Sequence, residues 1–542
     1  MIQTVARGFV WLLSGGAALV FGYLGARRLV HPLELDPVEG LMMDHVVRLS
    51  TGQPIYVEPT LQFIPFAGMP LFATIGSLLA RVFGPHFWEL RLISLLSMLG
   101  LAALVFWIVR AETKNATLAA AGAGLLLMGF GVTGGFYDVG RPDSLMLLLG
   151  FSGLALLRLT GLWGTLGAAA LLSLAFFTGL QAGWLVVAAL VHLALNDRRR
   201  LIVFGPAVIA GCAGGYLLLS TRLGPWFSFF TWDVPIRGGQ FGLERILEFI
   251  GAGMMGKMGA LTIPVLLALG LPARPWRGPA AIWTWAGLGA FASGLLATFD
   301  PDTARHALGP MLAALSVLGP IALHNVIHHV AAWPGSERGG RSPVLYVLLS
   351  LQFLLLAYPV RSQLPPPHPG EARAGLLQRL SSHPGPALVP DHGFYGWSAG
   401  KGSSMHEIAL ERIVRARGNR LLAGDPQYFD RMFAALRSGP DRPMIVADVE
   451  LGTGGGASRE LWASIITGYR LEGELGSISE SLQPVGGSRR APRLIYLPVD
   501  DPNAAAPATD ESVSVVPVDN APPAVDAPAA AAAVVRGTER RR

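Results

Sequence analysis

Two carboxylates one helical turn apart, Asp36 and Glu39, stand in the run LELDPVEGLMMDH just after the first long apolar stretch. On one turn such a pair can share a site, one carboxylate accepting a substrate proton while the other holds a cation or a hydroxyl. The same spacing satisfies a helix start, with Asp36 as N-cap and Glu39 in the first turn. A third carboxylate, Asp143, opens an apolar run inside GGFYDVGRPDSLMLLLGF. Ionisable groups near membrane depth are costly and tend to line cavities or pathways, although the helix dipole also favours a first-turn carboxylate behind Pro142. Tyr137, Asp138 and Arg141 crowd the same turn. Arg141 can neutralise Asp138 or Asp143, or meet a phosphate, which a guanidinium fits bidentately.

Other clusters carry weaker signals. In TFDPDTARHALGP, Arg305 and His306 precede a late apolar helix, where a cation can neutralise a phosphate leaving group or anchor the interface. The stretch SFFTWDVPIRGGQFGLER sets Trp232, Asp233 and Arg237 among glycines, a composition that suits a lid over a sugar or lipid, and equally an interfacial belt. DHGFYGWSAGKGSSMHE gathers Asp391, His392, Tyr395, Trp397, Lys401 and His406, polar and aromatic enough to bind a carbohydrate, and reads as readily as an ordinary loop. His324, His328 and His329 include a pair at helical spacing, but they lie at the far end of a span from the acidic loop and make a poor zinc site. LGTGGGASRE follows the apolar MIVAD yet lacks the Gly-Lys-Ser/Thr ending of a phosphate loop, so it reads as a flexible loop before a helix.

The elements that must position these residues are membrane helices. The 542-residue chain is 51% hydrophobic and 14% charged, too apolar for a soluble protein of this size. Runs long enough to cross a bilayer of roughly 30 Å place about eleven spans, near 8–27, 91–110, 116–135, 142–160, 162–178, 180–196, 200–219, 255–272, 279–297, 306–327 and 343–360. The run 66–84 is read instead as a helix lying in the outer interface, with Pro65 and Pro70 at its start and Gly84-Pro85 ending it. That parity puts Arg110, Lys114, Arg158, Arg198 to Arg200, Arg274, Arg277, Arg338 and Arg341 on the cytoplasmic side. The loop 28–90, Asp143, 221–254, 298–305 and everything after Arg361 then share the other side.

The expected fold is mainly α: a polytopic membrane part over 1–361, a small extracytoplasmic α/β domain over 362–500, and a disordered Ala/Pro-rich tail over 501–542. Basic residues sit at helix ends rather than on one face, which argues against nucleic acid. The lone Cys212 excludes an intrachain disulfide and a CxxC metal site.

Taken together, these motifs resemble the GT-C superfamily of polytopic glycosyltransferases, in the branch of the protein O-mannosyltransferase-like and lipid A sugar transferase-like proteins. The resemblance rests on Asp36 with Glu39 in the first outer loop, the Arg141-Pro142-Asp143 triplet opening the fourth helix, the interfacial run to Gly84, and ARHALGPMLAAL, with His306 where tyrosine is frequent. It covers roughly residues 8 to 360. Where many relatives carry a Thr-Lys pair, this chain has Thr178-Gly179-Leu180-Gln181, so the resemblance leaves the phosphate charge to Arg141, Arg237 or Arg305.

What the resemblance implies is a hexosyl- or pentosyltransferase in the plasma membrane of a bacterium, N-terminus cytoplasmic. The donor is a polyprenyl-phosphate sugar and the acceptor a glycan, lipid or protein. Asp36, Glu39 and Asp143 are the expected catalytic residues, with Asp36 as base. Arg141, Arg237, Arg305 and His306 are expected on the donor phosphate, and Tyr137, Asp138, Gln181, Trp232 and Asp233 around the substrates. No cofactor is required; a magnesium or manganese ion on Asp36 and Asp143 suits their oxygen chemistry. Two other classes stay open: a transporter or flippase for a lipid-linked saccharide, and an inactive membrane scaffold.

Overall fold

The computed structural model describes residues 2–270, 276–300, 305–331, 343–416, 422, 425, 427–438, 441–453, 456–487 and 490–499, with side chains to Ile327 in the third stretch. Arg274, Arg338, Arg341, the side chains of His328 and His329, and the tail 501–542 lie outside the described residues.

Four helices are long and apolar enough to cross a membrane: Ile2–Leu29, Phe87–Thr113, Arg198–Leu223 and Leu308–Ile327. Shorter apolar helices, among them Ala116–Met128, Asp143–Leu156, Leu162–Thr178, Leu180–Asn196, Ala281–Ala297 and Val344–Leu355, pack beside them. The chain is a multi-pass membrane protein of mainly helical fold. Six helices matter most below: α1 (Ile2–Leu29), α2 (Pro37–Ser50), α3 (Leu71–Phe83), α4 (Phe87–Thr113), α5 (Ala116–Met128) and α6 (Asp143–Leu156).

Local chemistry sets their ends. Asp36 caps α2 by accepting the Val38 amide at 3.0 Å, with Pro37 at the first helical position. Asn115 caps α5 by accepting the amides of Thr117 and Leu118. α3 buries Phe72, Ala73 and Gly76 while Leu78, Val82 and Phe83 stay exposed, the two-faced pattern of a helix lying at an apolar interface.

Several expected spans differ in detail. α1 begins at Ile2 rather than 8, and α4 already at Phe87. α5 stops at Met128, not 135, where a glycine-rich turn through Gly129–Gly135 takes over. The span expected at 255–272 is a broken one: Leu243–Lys257 and Gly259–Leu269 meet at 96°. Its first half is wound with wide π-type turns through EFIGAGMMGK, whose glycines offer the backbone little resistance to bending.

Beyond the last apolar helix, a four-stranded mixed sheet forms from β1 (Ala387–Leu388), β2 (Met444–Ala447), β3 (Tyr469–Glu474) and β4 (Leu494–Pro498), in the order β1-β2-β4-β3. β1 and β2 are parallel and the other pairs antiparallel, with a bulge between Leu471 and Gly473. The side chains of β2 are buried on both faces, as its MIVA run requires. This sheet does not stand apart from the membrane helices. Leu41, Tyr56, Phe63 and Met69 of the first loop, Phe227 and Phe230, and Met405, Ile413, Ile445 and Trp462 share one apolar core. The first loop, the segment around 227–234 and the sheet unit therefore lie on the same side of the helix bundle.

Candidate active site

Where that shared core ends, a cavity of about 1030 Å³ opens between the first loop and the sheet unit. Asp36, Arg141, Arg305, Asp391, Glu407 and Asp448 are among its lining residues. The N-cap geometry of α2 turns the Asp36 carboxylate toward it, and Arg141 arrives from the turn before α6. Arg141 Nη1 reaches Asp36 Oδ1 at 3.3 Å, and its Nε reaches Asp143 Oδ2 at 3.3 Å. The third edge of the guanidinium, Nη2, lies 3.2 Å from His306 Nε2. Phe136 packs against both side chains, with the Arg141 cation 5.0 Å above its ring and His306 edge-on at 5.3 Å. Burial and the Arg141 charge lower the His306 imidazole to about 4, so it is neutral there. One guanidinium thus gathers Asp36, Asp143 and His306 into a single cluster, although the sequence spreads them over 270 positions.

Burial pushes the Asp36 carboxyl above its ordinary value, and the Arg141 charge opposes that rise. A carboxylate so placed is a stronger base than one in water. Across the cavity, burial followed by the neighbouring Asp448 and Glu407 raises Asp391 well above the usual carboxylate range. Glu407, again mainly through burial, rises to about 7.

Glu39 does not share the site with Asp36. Its carboxylate faces away from the cavity and accepts Arg91 Nε at 2.9 Å, Arg91 Nη2 at 2.6 Å, the Leu35 amide at 2.7 Å and the Gly140 amide at 2.7 Å. No lone pair is left for a substrate. Asp138 does not line the cavity either: buried beside the end of α1, it forms an ion pair with Arg28 Nε at 3.0 Å, since a buried carboxylate needs a counter-charge. Tyr137 packs in the helix core against Phe21 and Phe130 and borders, with Asp143 and His306, a second cavity of only about 20 Å³. Gln181, Trp232, Asp233 and Arg237 line neither cavity; Trp232 is 52% exposed and Asp233 lies 4.0 Å from Arg237 along one turn. For a divalent cation to sit between Asp36 and Asp143, Arg141 would have to leave their midpoint. Among the described residues no cluster of three or more metal-ligating side chains occurs.

Other contributors escaped the sequence reading. Phe136, Arg91 and the Val485-Gly486-Gly487 turn have no motif; only the burial of a long cation such as Arg91 could have pointed to them. Gly487 adopts φ +62°, and a methyl there would lie 2.7 Å from Asp36 Oδ2. Gly487→Ala is expected to cut activity about tenfold by displacing Asp36, on top of the roughly 1–2 kcal/mol strain of a left-handed alanine. Gly476→Ala, which has φ +56° but open space around it, is the matched control. Equal activity losses in the two variants would rule the contact out.

No protein-family model matches the chain, and no curated protein matches it in sequence. Solved structures do match in shape. ArnT from Cupriavidus metallidurans bound to undecaprenyl phosphate superposes with TM-score 0.53 at 15% identity, over 92% of this chain and 99% of that one. The apo form of the same protein gives TM-score 0.53 at 15% identity, over 91% and 98%. The Archaeoglobus fulgidus oligosaccharyltransferase in complex with zinc and sulfate superposes more loosely, TM-score 0.49 at 14% identity over 85% of this chain and 71% of that one. At this level of identity the likeness is one of fold: the chain shares the overall helical architecture of ArnT over nearly the whole length of both chains.

Proposed function

We propose that the chain is a membrane glycosyltransferase that moves a sugar from a polyprenyl-phosphate carrier to an acceptor hydroxyl, with inversion at the anomeric carbon. The observation that carries this reading is the presence of a buried carboxylate and two arginines, Asp36, Arg141 and Arg305, on one cavity next to the apolar helices. The capture of undecaprenyl phosphate by ArnT supports a polyprenyl-phosphate carrier. In this reading Asp36 accepts the proton of the acceptor hydroxyl as its oxygen bonds to the anomeric carbon. The bond from that carbon to the phosphate breaks, its electron pair leaving with the phosphate. Two carboxylates already balance Arg141, so Arg305, exposed on the same cavity, meets the leaving phosphate, while Arg141 holds Asp36 and Asp143 in place. Glu39 positions rather than reacts.

The cavity then faces outward, with about eleven spans, the N-terminus inside and residues 362–500 forming the outer cover. Arg110, Lys114, Arg158 and Arg198 to Arg200 would mark the cytoplasmic face of a plasma membrane. A divalent cation enters no step of this scheme; sugar and acceptor stay open.

The test is release of free polyprenyl phosphate by the full chain in nanodiscs, offered a panel of undecaprenyl-phosphate hexoses and pentoses with mixed envelope glycolipids. Donor-dependent release is expected, with Arg305→Ala lowering kcat/KM for the donor about tenfold or more. Movement of the lipid across the bilayer without release would replace the transferase by a flippase, and neither signal would leave a scaffold.

A further inference from the structure

The tetrapeptide that leads into α2, Leu33-Glu34-Leu35-Asp36, is gripped by the sheet unit at successive residues. Glu34 is fully buried and pairs with His392 Nδ1. The other ring nitrogen of His392, Nε2, lies 3.2 Å from Asp448 Oδ2. Glu34 also donates its amide to the Tyr395 hydroxyl at 3.3 Å, and the Tyr395 ring stacks on His392 at 5.8 Å. Next in the chain, the Leu35 carbonyl accepts the Gly486 amide at 2.8 Å. On the far side of Asp36, His406 Nε2 meets the Pro37 carbonyl at 2.9 Å, and Ser403 donates to Asp44 Oδ1 at 3.0 Å. Gly40 makes room for this grip, since a methyl on it would fall on Glu34 Oε1.

His392 is the centre of the arrangement. An imidazole with a carboxylate at each nitrogen donates from both and is held as the cation. Burial by itself would lower its proton affinity, yet Asp448 and Glu34 raise it well above the ordinary imidazole value. One end of the bridge, Asp448, lines the cavity, and the other end, Glu34, is two residues from Asp36. One ring therefore bridges the cavity wall and the stretch of chain that carries the candidate base.

We propose that His392, bridging Glu34 of the first loop to Asp448 of the sheet unit, is a positioning residue that fixes Asp36 for reaction and couples the outer unit to the membrane-side site. The proposal rests on the transferase reading for its kinetic consequence, and on geometry alone for its structural one.

Both consequences are measurable on the full chain in nanodiscs. In His392→Gln, amide hydrogen exchange across 33–40 is expected to quicken at least tenfold, while exchange in α4 and α5 stays as in the parent. With the donor that proves active, kcat is expected to fall about 10- to 100-fold with KM changed less than about twofold, because a misplaced base slows chemistry without weakening donor binding. Asp448→Asn, which keeps the shape and one acceptor, serves if His392→Gln does not fold, and should give the same pattern more mildly. Arg379→Ala, which removes an exposed pair with Glu472 away from the cavity, should change neither readout. Unchanged exchange across 33–40, or a loss confined to KM, overturns the proposal. If the parent chain releases no polyprenyl phosphate from any donor, the transferase reading fails, and the exchange measurement still decides the clamp.

Discussion

Asp36→Asn is expected to lower the transfer rate about 10²- to 10⁴-fold, the usual worth of a positioned general base, with protein yield and unfolding temperature near those of the parent. Asparagine keeps the cap on Val38, because its side-chain oxygen can still accept that amide. What it loses is the negative charge facing Arg141 and the ability to take a proton. Asp143→Asn shares only the first loss, so its effect should be smaller. The pH profile gives a second check. Burial raises the Asp36 carboxyl above its ordinary value, and a base works only when deprotonated, so activity should fall as pH drops, with its acidic limb shifted upward from that of an ordinary aspartate. Release that persists undiminished in Asp36→Asn removes this residue from the chemistry and leaves Asp391 or Glu407, across the same cavity, as the carboxylates to test.

Much of the fold was legible because lipid imposes a simple rule: backbone groups must be satisfied within a helix, and the helix must be apolar. Helix ends lie within a few residues of the expected ones where Arg110 and Pro142 mark them, though not at Arg7, which the first helix runs past to Ile2. The rule fails where glycine lets the chain bend without polar residues, as in EFIGAGMMGK: its first residues read as outer loop and Gly256 as lying at the start of a straight span, whereas the helix runs Leu243–Lys257 and breaks before Gly259. The helix α3 was readable from its ends, Pro70 before it and Gly84 after it, which the structure reproduces with α3 running Leu71–Phe83.

The site was legible in part. Asp36, Arg141, Asp143 and His306 stand in short motifs next to helix starts, where polar residues must have a reason to be, and the structure gathers them on one guanidinium. Glu39 and Asp138 carried the same signal for another reason: each answers a buried arginine, and sequence spacing cannot tell a carboxylate that reacts from one that neutralises. Trp232, Asp233 and Arg237 were drawn in by composition alone; they stand on the helical turns Phe229–Asp233 and Val234–Arg237 and line neither cavity. His392 illustrates the opposite failure. Its partners Glu34 and Asp448 are 358 and 56 positions away, and no local pattern announces a contact made only when the chain closes on itself.

The largest effect on stability is expected at Arg91. This fully buried guanidinium holds the Glu39 carboxylate in a two-point pair and also donates to the carbonyls of Arg28, His31 and Leu33. It therefore ties the end of α1, the start of the first loop and the first turn of α2 into one knot. Arg91→Ala would leave the Glu39 carboxylate buried without its counter-charge and take the guanidinium donor from the carbonyls of His31 and Leu33, while that of Arg28 keeps the His31 amide. Removing one partner of such a pair costs about 3–5 kcal/mol, measurable as a lower unfolding midpoint in mixed micelles. Arg91→Lys should recover little, because an ammonium has three donors and no planar fork to serve both carboxylate oxygens. In a double-mutant cycle, Arg91→Ala with Glu39→Ala should cost less than the two single changes added together, since removing both charges spares the orphaned one. The knot also has a functional end. Glu39 accepts the amides of Leu35 and Gly140, the residues just before Asp36 and Arg141. One carboxylate thereby sets the spacing between the candidate base and the arginine that holds it. Glu39→Gln, which keeps the shape and weakens the pair, should lower activity more than it lowers stability. If it instead lowers both in step, Glu39 is a strut for the fold and nothing more.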